Sequence, residues 1–136
     1  MAAAVKNLSM EQGADFWYQI EWLHPNPTTP GLPGPPYDLT GASARMQVRE
    51  AQGGVVLVDA TSANGAIAMG SNGVLVLHLT AEQTTAIATK KTKYDLEVVI
   101  PSGGVEVPGV YRLLQGSILL SPNITQDPGE PIVAVG

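Results

Sequence analysis

Residues 94–121 read YDLEVVIPSGGVEVPGVYRLLQGSILLS, and the fold is decided in this stretch. Tyr94, Leu96 and Val98 alternate with Asp95 and Glu97, the period-2 pattern of a strand with one buried face. Pro101-Ser102-Gly103-Gly104 breaks that strand and Pro108-Gly109 breaks the return. Residues 110–120 then form a long apolar partner strand, in which Gly116 marks a bulge or a close backbone approach. The stretch reads as two core strands folded back on one another. No residue spacing within it is suited to catalysis.

The same alternation recurs on either side. In residues 13–23, Phe16, Tyr18, Ile20 and Trp22 alternate with Trp17, Gln19 and Glu21, so this strand supplies the largest core side chains. In residues 37–50, Ala44, Met46 and Val48 alternate with Arg45, Gln47 and Arg49, giving one buried face and one basic, solvated face. Further strands are expected over 55–61, 66–69 and 74–80. Asn64-Gly65 and Asn72-Gly73 lie in the turns beside them, a pair that favours positive φ. Thr80-Ala81-Glu82-Gln83 reads as a capping box opening a helix of about two turns. Lys90 and Lys91 would then sit at its negative pole.

About seven short strands and one helix imply an all-β, antiparallel β-sandwich of Ig-like type. The expected organisation is an N-terminal arm over 1–12, a domain over 13–121 and an extended tail over 122–136. Both terminal segments are expected to be flexible in the isolated chain and ordered in an assembly. The loop 25–36, PNPTTPGLPGPP, holds six of the eleven prolines. Proline fixes φ and removes a donor, so this loop is excluded from a sheet interior and should be extended and pre-ordered.

A chain of 136 residues builds one domain. Charged residues make up only 14% and aromatics 5% against 44% hydrophobic, so Val, Leu, Ile and Ala must fill the core. The low charge content suggests that part of the surface meets protein. The net charge of -5 and the dispersal of the basic residues, apart from Lys90, Lys91 and Lys93, argue against nucleic acid as a partner. The chain has no cysteine, hence no disulfide and no thiolate metal site. The N-terminus lacks a signal-peptide pattern, and no apolar run approaches a bilayer span, so no membrane role is expected.

Chemistry finds little support in the residues. His24 and His78 have no second ligand at metal-binding spacing, and the carboxylates are scattered. No nucleophile elbow, phosphate loop or dinucleotide fingerprint is present. The expectation is a non-enzyme without cofactor or metal.

The order of segments nevertheless carries a resemblance. DLTGASARMQVR (38–49), LTAEQT (79–84), YDLE (94–97) and RLLQGSILLSPNIT (112–125) follow one another at a spacing similar to that in small β-sandwich virion proteins of bacteriophages. The match is to the N-terminal domain of baseplate upper proteins and covers about residues 13–125. It implies a virion location after synthesis in the host bacterial cytoplasm. It also implies a tail or baseplate adaptor role, with other phage structural proteins and copies of itself as partners. Alternatives are a capsid-decorating protein, or a module for host-surface carbohydrate using Trp17, Trp22 and Tyr37 as stacking faces. Two loops depart from the family pattern, the proline loop and residues 105–109, and insertions in loops often carry specificity. The candidate protein-contact residues are therefore Trp17, Pro30, Leu32, Pro33, Pro35, Tyr37, Val105, Val107 and Pro108.

Overall fold

The computed structural model describes residues 3–51, 54–87 and 91–121. The tail expected over 122–136 lies outside them. The strands in chain order are β1 (Ala4–Val5), β2 (Leu8–Glu11), β3 (Phe16–Glu21), β4 (Leu23–Pro25), β5 (Pro33–Pro36), β6 (Ser43–Arg49), β7 (Val56–Thr61), β8 (Ile67–Met69), β9 (Val74–Leu79), β10 (Lys91–Ile100) and β11 (Gly109–Ser121), with helix α1 (Ala81–Ala86) between β9 and β10. The fold is all-β. The large sheet runs β1-β11-β10-β6-β7, with β2 also on β11; the small sheet runs β3-β9-β8; β4 and β5 form a separate ribbon.

Alternation sends Leu96, Val98, Met46 and Val48 from the large sheet, and Leu75, Leu77 and Leu79 from the small one, into one core. At about 25 cal/mol per Å² of apolar area removed from water, this burial is the main stabilising contribution. The β10–β11 pair is the central ladder. One register shift beside Leu96 and Glu97 takes up an extra residue on β11 and turns Leu113 into the core.

Strands stand where alternation and turn-bounded apolar runs place them, as β3 and β6 to β11, but the described residues hold more strands than the seven expected. Four short ones were not anticipated. Residues 3–12, expected as a mobile arm, hold β1 and β2, which pair in parallel with β11. Leu8 and Met10 are each only 3% exposed, so the core retains this segment. Gly116 supplies the close approach: a Cβ there would overlap the Lys6 carbonyl. The Tyr94 hydroxyl donates to that carbonyl, and burial, with a smaller contribution from Tyr18, pushes its pKa up to about 12. The other unanticipated pair is β4 and β5, at the two ends of the proline loop.

Helix α1 carries the expected capping box, with Thr80 accepting from the Gln83 amide and the Gln83 side chain accepting from the Thr80 amide. Its last turn holds no basic residue. The helix ends at Ala86, Lys91 opens β10, and Lys90 lies outside the described residues. Gly65 and Gly73 have the positive φ that the Asn-Gly turns call for.

Candidate functional site

The proline loop and the β10–β11 connection meet at one end of the molecule, and a small set of contacts holds them there. Prolines cannot donate to a ladder, so the ribbon pairs sparsely, Leu23 with Pro36 and Pro25 with Pro33. Asn26 compensates: its side-chain oxygen accepts from the Thr28 and Thr29 amides, and its amide donates to the Pro33 carbonyl. Gly34 crosses so close to the His24 and Pro25 carbonyls that a Cβ would collide with them.

Beneath the ribbon, three rings stack. Tyr37 lies between Trp22, at a centroid distance of 3.8 Å, and His24, at 3.7 Å. Tyr111 meets Trp22 edge-on at 5.3 Å. Burial raises the Tyr37 phenol pKa, with smaller contributions from Glu106 and Tyr111. Trp22 is 6% exposed, and its Nε1–H is buried without an acceptor among the described residues, a penalty the stacking must outweigh.

Glu106 joins the second loop to this stack. Its carboxylate accepts from His24 Nε2–H at 2.9 Å and from the Asp38 amide at 2.8 Å. Desolvation acts to raise the Glu106 pKa, yet the bonds from His24 and Asp38 outweigh it and hold the carboxyl below its ordinary value. The Tyr111 hydroxyl donates to the Val107 carbonyl at 2.9 Å and secures the same loop. Val105 and Val107 are left 85% and 72% exposed, and Leu32 on the ribbon is 55% exposed.

The sequence-derived contact residues thus divide into three groups. Pro30, Leu32, Pro33, Pro35, Val105, Val107 and Pro108 are exposed on the two clamped loops. Tyr37 has neither ring face free and is an internal prop. Trp17 lies elsewhere, roughly 16 Å back along the same stretch of chain from Trp22. It stands on the outer face of the small sheet, stacked at 3.7 Å on its cross-strand partner His78. His78 Nε2–H donates to Asp15 at 2.8 Å, and the other Asp15 oxygen accepts from the Ala81 amide. Glu106 was missed in sequence. Only its place in the segment 105–109 pointed to it, since its partners are 68 and 82 residues away.

Among the described residues, no cluster of three or more His, Cys, Asp or Glu is placed to hold a metal ion. No helix there is long and apolar enough to cross a membrane. No protein-family model matches the chain, and no curated protein is similar to it at a significant level.

Proposed function

We propose that this chain is a non-enzymatic structural component of a bacteriophage virion, an Ig-like β-sandwich acting as a tail or baseplate adaptor through protein–protein contacts. The observation that carries the contact reading is the clamped loop pair. Exposed apolar side chains on loops already ordered by Glu106 and Asn26 lose little entropy when a partner covers them. The virion assignment is supported by the order of the DLTG, LTAEQT, YDLE and RLLQG segments.

Cryo-EM of the intact particle tests the assignment, with density for this chain expected in the tail or baseplate. Density on the capsid at a copy number near that of the major capsid protein would favour decoration instead, and density nowhere would reject the virion reading. Cross-linking from loop 25–36 should capture another structural protein. A carbohydrate module is weakened on its own terms, because Trp22 is buried and Tyr37 is covered on both faces, which leaves Trp17 as a lone platform.

A further inference from the structure

Apart from Lys90, Lys91 and Lys93 the seven basic residues are scattered in sequence, but the strand register gathers five of them. Arg45, Arg49, Lys91, Lys93 and Arg112 all stand on the outer face of the large sheet. Four carboxylates, Glu11, Asp59, Asp95 and Glu97, share that face, leaving one net positive charge on an acidic protein. Asp59 pairs with Arg45 at 3.0 Å, while Asp95 and Glu97 each approach Arg112 at 3.6 Å. Arg49 and Lys93 are direct cross-strand neighbours, an unfavourable pairing of like charges. Among the described residues they donate to neutral acceptors: Arg49 to Gln47 and the Gly54 carbonyl, Lys93 to Ser117. The face is hollow there, with a cavity of about 600 Å³ bordered by Arg45, Arg49, Lys93 and Arg112 and by the carboxylates Asp95 and Glu97, with Gln115 at its edge.

The outer face of the small sheet is its complement. Asp15, Trp17, Gln19 and Glu21 project along one line, and no Lys or Arg lies on β3, β8 or β9. Trp17 is 63% exposed; His78 covers one face of its indole, and the other is open for a guanidinium. A knob flanked by carboxylates thus faces outward on one side of the molecule, and on the other a hollow in which the cations Arg49 and Lys93 meet only neutral acceptors among the described residues.

We infer that a second copy of this chain fills the hollow, with the Trp17 face of one copy on the Arg49–Lys93 face of the next. The inference rests on the reading of the chain as a many-copy assembly component. The contact joins two different surfaces, so it propagates into a ring or a stack rather than closing as a two-fold dimer. The small sheet limits the contact to roughly 14 by 20 Å, below the ~800 Å² per partner of a standard interface. A single contact is therefore weak and salt-sensitive, and it accumulates when copies are held close.

The absence of native cysteine makes the test direct. Gln19→Cys on the Trp17 face and Gln115→Cys beside the hollow are purified separately, mixed, and treated with a short bis-maleimide. The expected result is a mixed dimer of the Gln19→Cys and Gln115→Cys copies, several-fold above either like pair and above a Ser102→Cys control at the loop end. It should be lost at 1 M salt, where the Debye length is ~3 Å. Lys93→Glu should abolish the product, Lys93→Gln should reduce it, and Glu21→Lys in the other copy should restore the Lys93→Glu yield. Circular dichroism and melting of each variant establish that it is folded. Equal yields from like and unlike pairs, insensitivity to salt, or capture of a different particle protein by the Gln115→Cys variant would overturn the inference. Such a failure leaves the loop-end contact intact, since loop 25–36 cross-linking reads that contact separately.

Discussion

Two rings-on-imidazole arrangements in this molecule use the same parts to different ends. At the loop end, Trp22, Tyr37 and His24 stack in series and His24 ends on Glu106. On the small sheet, Trp17 stacks on His78 and His78 ends on Asp15. The first set is sequestered, with the Glu106 side chain only 10% exposed, and its partners come from three separate segments. The second is open, with the Asp15 side chain 50% exposed, and lies on adjacent strands and the turn before them. Ring stacking and carboxylate–imidazole hydrogen bonding act as structure where water is excluded, and as surface chemistry where it is not.

Alanine substitution of the two tryptophans should separate them most. Trp22→Ala removes a buried ring from beneath Tyr37 and should cost about 3–5 kcal/mol in urea unfolding. Trp17→Ala should cost under ~0.5 kcal/mol. Equal losses would break the distinction.

The carboxylates come next. Glu106→Ala strands the Asp38 amide and frees the second loop, an expected loss of about 1–3 kcal/mol. Hydrogen exchange should accelerate at Asp38 and through residues 101–108. Asp15→Ala should leave the global midpoint unchanged and loosen only the first turn of α1.

Acid sharpens the comparison further. Both carboxyls titrate below their ordinary values: Glu106 because its bonds from His24 and Asp38 outweigh desolvation, and Asp15 chiefly through its hydrogen bond from His78. A depressed folded pKa stabilises above the unfolded pKa and loses that contribution as pH falls through the folded value. The loop clamp should therefore weaken below about pH 4.5, and the Asp15 contact below about pH 3.8. Glu106→Gln should flatten the acid limb of the stability curve, as followed by thermal melts.

The smallest effect is expected from His78→Ala. It uncovers the second face of Trp17 and should red-shift the emission of that residue, with little change in stability. A large loss of stability would mean that the exposed stack is structural after all.

Much of this was legible beforehand where the cause was local. Alternation marked β3, β6 and β10 because side chains on successive residues must point to opposite faces, and apolar runs bounded by turn residues marked β7, β8, β9 and β11. The Thr80–Gln83 box and the Asn-Gly turns involve residues within three positions of one another. Gly116 was read as a bulge or a close approach; the structure makes it the second, with Lys6 as a neighbour no local signal named. The N-terminal strands were missed because β1 and β2 are two and four residues long, and their pairing is parallel and over a hundred residues away in sequence. Proline content pointed to the ribbon as a stiff loop but not to its hairpin register, which Asn26 and Gly34 impose.

The sequence by itself determined the all-β class, the identity of the core strands and the exposure of the loops 25–36 and 105–109, because periodicity and proline geometry act within a few residues. Only the tertiary structure decided that Glu106 reaches His24 and that Trp17 and Trp22 part company. It also decided that basic residues dispersed over the chain share one face. Those outcomes depend on strand register, and register brings together residues whose separation along the chain carries no local signal.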